Sequence, residues 1–258
     1  MYCGGGVNSY IIHAYPAERR AFKIAFYQQY TVPFYQWLYD MEMPIPKIWA
    51  HRCDSIEKMQ ENMNKFAGVE LDINYYAEQG EFDVSHDKQA KLEYPLESFL
   101  QQLAPTDAKM WLDFKNLTAD NRVAALNRLE YLFKEYNIDK SRAIVESHNV
   151  KELADFHQAG YYTSFYVSVN DKFLNTAAGR DEFLNEVAAA IATGNIDAVS
   201  FPIEYYKLVK SGNFDIDLLT WDTEARWSDY VANKERRDRL ADDRLKVVLV
   251  TSDSKYTR

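Results

Sequence analysis

From residue 47 to its end the chain alternates short, nearly unbroken apolar runs with longer amphipathic ones, and it does so eight times. Apolar runs of this length, separated by helical crossovers, bury both faces only in a parallel sheet. Strands are expected over residues 47–52, 68–75, 110–116, 142–147, 162–169, 196–201, 216–221 and 247–251. Helices are expected over 55–66, 95–103, 118–136, 150–158, 180–193, 203–210 and 223–245. Local signals punctuate them: Asp54 or Ser55 as a cap, Pro95 in a first turn, Thr118 as a cap, and Gly160 and Gly194 past two helix ends. In the helix over 118–136, Val123, Leu126, Leu129, Leu132 and Phe133 fall on one face. Residues 81–85 read as a short extension that delivers His86.

Eight such units in about 210 residues fit a closed (β/α)8 TIM barrel. The rival is an open doubly wound sheet, which would carry a glycine-rich phosphate turn after its first strand. Residues 53–55 are Cys-Asp-Ser, with no such turn. Apolar residues at 47% suffice for a core of this size.

Polar residues interrupt the strands where a barrel gathers its chemistry, at the C-terminal strand ends. The first strand runs into His51 and Arg52. The second carries Glu70 and Asp72 two residues apart, so both point to one face. The third places Asp113 and Lys115 together in the same way, and Glu146 ends the fourth. Two acids on one strand face repel unless a positive charge lies between them. An oxygen-ligated divalent cation answers that need, and such ligands favour Mg2+ or Ca2+ over Zn2+. The bland alternative is a buried ion network of Glu70 and Asp72 with Arg52 and Lys115. His51 and His86 are the candidate acid and base near neutral pH. Trp221, at the end of the seventh strand, is a candidate wall for a substrate.

His51-Arg52, Glu70-Leu71-Asp72, His86-Asp87 and Asp113-Phe114-Lys115 together resemble the glycerophosphodiester phosphodiesterase family. The resemblance is close over residues 47–116 and rests on element order elsewhere. It implies a TIM barrel with metal ligands at Glu70, Asp72 and Asp113, and catalysis by His51 and His86. Arg52 and Lys115 would then bind phosphate, and Glu146 would be a further ligand or an acceptor for substrate. The family usually inserts a small subdomain after its His-Asp pair and has Glu at the third acid. Here the segment between Asp87 and Met110 is short and the acid is Asp113, as in the menorin-type and sphingomyelinase D-like relatives. An open barrel mouth, with Tyr75, Tyr76 and Trp221 as stacking surface, suggests a lipid- or glycan-linked phosphodiester with a head group larger than glycerol. The nucleophile in the family can be a neighbouring hydroxyl, which gives a cyclic phosphate. Two other readings of the residues stay open: a non-catalytic barrel that binds or scaffolds, and a metal-dependent lyase or aldolase.

A net charge of -9 argues against broad nucleic-acid binding. No apolar run is long enough to span a membrane. Residues 1–46 form an N-terminal extension expected to pack on the barrel of residues 47–258. Its aromatic stretch over residues 22–39 is alternatively a peripheral membrane contact. Cys3-Gly4-Gly5-Gly6 resembles the start of a mature lipoprotein, so an envelope location stands beside a cytoplasmic or peripheral one. Cys53, beside the site, reads as a buried bystander thiol.

Overall fold

The computed structural model describes residues 45–86 and 92–252. The expected extension up to residue 44, with Cys3 and the aromatic stretch, lies outside the described residues, as does Asp87.

Eight strands run parallel: β1 (Ile48–Ala50), β2 (Gly68–Tyr76), β4 (Lys109–Phe114), β5 (Ala143–Ser147), β6 (Tyr162–Tyr166), β7 (Ala198–Pro202), β8 (Asp217–Asp222) and β9 (Leu245–Val250). β1 pairs with both β9 and β2, which closes the sheet into a barrel and removes its free edges. One extra strand, β3 (Glu81–Val84), pairs antiparallel with β2 from Ile73↔Val84 to Tyr76↔Glu81. It is the extension anticipated ahead of His86. Among the described residues, no helix is long and apolar enough to cross a membrane.

The helices are α1 (Ile56–Asn62), α2 (Leu96–Leu103), α3 (Arg122–Glu135), α4 (Ala154–Gln158), α5 (Lys172–Asn175), α6 (Ala177–Ala192), α7 (Tyr206–Ser211), α8 (Trp227–Ala232) and α9 (Lys234–Leu240). Three expectations need correction. Thr118 does not cap α3. Asn121 takes the N-cap position without a side-chain cap bond, and its side chain instead accepts the Thr118 N–H at 2.8 Å while donating to the Asn116 carbonyl at 2.7 Å. Val123 is 55% exposed, and the buried face is Ala125, Leu129, Leu132 and Phe133. The single charged helix over 223–245 is two helices broken at Asn233, whose extended backbone ends α8 and whose Oδ1 caps Arg236 of α9.

Trp49, Trp111, Ile144, Ala198, Leu219, Val247 and Leu249 pack together as a buried apolar cluster drawn from alternate strand positions. Trp49 lies so close to Gly68 that a Cβ there would sit 2.5 Å from its ring. This layer floors the polar end of the barrel above it.

Candidate active site

The parallel register places the acids. β2, β4, β5 and β6 align as Asp72↔Asp113, Asp113↔Glu146 and Glu146↔Ser164, so these side chains stand side by side on one level. Glu70, Asp72, Asp113 and Glu146 are all buried. Glu70, Asp72 and Asp113 each offer an oxygen within 4.8 Å of the others. Lys115 bridges Asp72, at 2.6 Å, and Asp113.

The histidines arrive from two directions. His51 follows β1 and donates its backbone N–H to Val250 at 3.0 Å. Arg52 then takes a left-handed backbone, φ 53°, rare for a side-chain-bearing residue. Its N–H, donated to Glu70 Oε2 at 2.6 Å, holds that turn over β2. The His51 Nε2 sits 3.8 Å from the same carboxylate oxygen. His86 is set by β3 and by Ser85, whose N–H donates to the Asp72 carbonyl at 2.8 Å and whose carbonyl accepts from Asn74 at 2.6 Å. Arg52 Nη2 lies 3.2 Å from His86 Nε2. A guanidinium has no acceptor, so that ring nitrogen accepts and the proton sits on Nδ1.

Burial and crowded acids dominate the electrostatics. Burial, then Asp72 and Asp54, push the Glu70 carboxyl up. Burial also acts upward on Asp72, but Lys115 outweighs it and holds that carboxyl low. Burial would deprotonate Lys115, yet Asp113, Asp72 and Glu70 keep it firmly charged. Burial, reinforced by Arg52, lowers His51 to about 4, so its imidazole is neutral at pH 7. Burial, then Asp113, raises Glu146 to about 8.

The residue set fits a divalent cation. The three converging carboxylates are hard oxygen donors. Asp72 Oδ2 is buried without a hydrogen-bond partner, an atom that a cation would satisfy. One lysine serves two of the three acids, and Glu70 is left with a backbone N–H and the edge of His51.

All nine expected residues line one cavity of about 110 Å³: His51, Arg52, Glu70, Asp72, His86, Asp113, Lys115, Glu146 and Trp221. It is much smaller than a site enclosing a drug-sized ligand, so it admits one compact group. Trp221 meets Tyr166 edge to face at 4.8 Å, and both form its wall. Tyr75 does not. It is 6% exposed and packs on Phe82 at 5.0 Å, because its place in β2 points it outward into the helix layer. Tyr76 also lies outside the cavity lining. Cys53 is fully buried, and burial pushes its thiol up, as an inert bystander requires.

Sequence reasoning passed over several participants. Asp54 accepts the Asp72 N–H at 2.9 Å and so steadies β2. Ser164 donates to Glu146 at 3.0 Å. Tyr166 shares a face with Ser164 by strand period, a signal present in the sequence. A second cavity of about 450 Å³, lined by His51, Arg52, Lys58, Thr223 and Thr251, adjoins the first. A third, of about 750 Å³, lies at the opposite end among strand starts such as Trp49, Tyr162 and Asp217.

A closed (β/α)8 barrel whose C-terminal strand ends carry acids, two histidines and a lysine is the class that fold and site define. No family model matches the sequence, and no curated protein matches it either. Solved structures match by fold. A glycerophosphodiester phosphodiesterase from Parabacteroides distasonis superposes with a TM-score of 0.55 at 14% identity, over 80% of this chain and 92% of that one. A phosphodiesterase from Oleispira antarctica, solved with its product sn-glycerol-3-phosphate, gives 0.51 at 11% identity, over 80% and 92%. At these identities the likeness is one of fold: the chain has the barrel of the glycerophosphodiester phosphodiesterases.

Proposed function

We propose that this protein cleaves a phosphodiester at the C-terminal mouth of its barrel, with Mg2+ or Ca2+ held by Glu70, Asp72 and Asp113. The observation that carries this reading is the convergence of three buried carboxylates within 4.8 Å beside two histidines and two fixed cations. When bound, the cation would supply Lewis-acid neutralisation of the phosphate oxygens. Lys115 and Arg52 add positive charge on the same side, where negative charge builds as the nucleophile approaches phosphorus. Glu146 faces the cavity as a further ligand or as a partner for a substrate hydroxyl.

The two histidines divide the proton traffic. His51 is enclosed and stands 3.8 Å from Glu70 Oε2, and it would take a proton from the attacking hydroxyl. His86 is exposed to solvent and, once protonated and released from Arg52, would give a proton to the departing alkoxide oxygen. One oxygen–phosphorus bond forms and one breaks. A neighbouring hydroxyl of the substrate gives a cyclic phosphate, and water gives a phosphomonoester. Trp221 and Tyr166 offer an apolar wall to the departing group, consistent with a lipid- or glycan-linked ester. Glycerophosphodiesters, lysophospholipids and glycan-linked phosphodiesters, assayed with Mg2+ and with Ca2+ and followed by phosphorus NMR, test the reading. Turnover of any of them, cyclic or linear product included, supports it. No turnover together with no cation binding would instead indicate a non-catalytic barrel.

A further inference from the structure

The catalytic cavity does not end at the barrel rim. His51, Arg52 and Thr223, which follows β8, also line the adjoining cavity of about 450 Å³, whose other walls are Lys58 of α1 and Thr251 after β9. The two spaces have opposite chemistry. The first contains four carboxylates. No described residue lining the second is acidic, and two, Arg52 and Lys58, are basic. Among the described residues, no carboxylate forms an ion pair with Lys58 or with Arg52. The left-handed backbone of Arg52 puts its side chain on the wall shared by both cavities. Thr251 spends its hydroxyl proton on the Thr223 carbonyl at 2.8 Å, which ties the β8 and β9 loops together and leaves the Thr223 hydroxyl available.

Lys58 and Arg52 face one space whose described lining carries no acid, so an anion entering it would meet positive charge from both. From this we infer that the second cavity is an anion subsite, and that the substrate is a phosphodiester whose alcohol carries a second anionic group, a phosphomonoester or a carboxylate. The inference rests on the phosphodiesterase reading for its substrate, but not for its anion site. The diester would sit over the acids and Lys115. The second anion would lie beyond His51, against Lys58, Arg52 and the Thr223 hydroxyl. A neutral head group would gain nothing from this wall. The subsite would therefore act in recognition, and Lys58 would be a specificity residue rather than a catalytic one.

Two synthetic diesters, identical except for a terminal phosphomonoester in one and a hydroxyl in the other, decide the substrate. The native protein is expected to show a KM for the charged diester about 2- to 5-fold lower, the effect of one partly solvated charge contact. Lys58→Gln should erase that preference while leaving kcat, and both constants for the neutral diester, unchanged. The preference should also shrink as salt rises. Equal KM values in the native protein, or a Lys58→Gln effect shared by both diesters, would overturn the subsite. Titration with inorganic phosphate, followed by calorimetry, separates the two claims. Two phosphate-binding events in the native protein and one in Lys58→Gln uphold the anion site even if neither diester is cleaved, in which case the phosphodiesterase reading fails alone. A single event unaffected by Lys58→Gln defeats the anion site.

Discussion

Replacing Glu146 with Gln should remove a pH dependence built into the barrel. Glu146 is 2% exposed and accepts from Ser164 Oγ at 3.0 Å. Burial and then Asp113 move its carboxyl from 4.5 to about 8. In the unfolded chain the same group ionises near its ordinary value, so between those limits the folded protein binds one more proton. Stability from this residue is thus fully present below about pH 4.5 and is lost as pH rises toward 8. The displacement corresponds to a cost on the order of 5 kcal/mol once the group is forced to ionise. Gln keeps the shape and the acceptor for Ser164 but has no proton to lose. Urea unfolding of both proteins from pH 5 to 9, with EDTA present, reads the difference. At pH 5 they should agree to within about 1 kcal/mol, one exchanged hydrogen bond. Above that, the variant should gain on the native protein with a slope approaching 1.4 kcal/mol per pH unit, about the value for one proton. A difference independent of pH would refute the claim that Glu146 is held neutral.

Three further outcomes are expected. Glu70→Ala and Asp72→Ala should each abolish Mg2+ and Ca2+ binding by calorimetry while circular dichroism stays native. The apo Glu70→Ala protein should not melt lower, since burial and neighbouring acids disfavour that carboxylate, whereas Asp72→Ala should melt lower because it takes a partner from buried Lys115; unchanged cation binding would rule out this ligand set. His51→Ala and His86→Ala should each slow turnover by on the order of 10²–10⁴, and the double variant should be little worse than the poorer single; near-native turnover in either would remove that residue from the chemistry. Gly68→Ala should lower the melting temperature, because the new methyl meets the Trp49 ring at 2.5 Å and overpacking of this kind costs about 1–3 kcal/mol; an unchanged melting curve would mean that Trp49 moves aside freely.

Periodicity alone determined much of this protein. Eight apolar runs separated by amphipathic ones leave a parallel sheet with helical crossovers, and a strand period of two already puts Glu70 with Asp72 and Asp113 with Lys115 on common faces. The order of these pairs along the chain was enough to suggest one site, because barrel strands share a C-terminal end. Tertiary structure decided what depends on register and on loops. That Asp72, Asp113 and Glu146 lie on one level follows from inter-strand alignment, which no local pattern encodes. The Lys115 bridge to Asp72 crosses between strands in the same way. Tyr75 was misplaced although strand period could have excluded it: with Glu70 and Asp72 facing inward, an odd position on β2 faces the helix layer. Val123 went astray because at 3.6 residues per turn it lies more than a quarter turn from the centre of the face formed by Ala125, Leu129, Leu132 and Phe133. Lys58 carried no signal at all in the sequence. Its meaning comes from the β8 and β9 loops that fold in beside it, and only the closing of the barrel through β1 and β9 brings them there.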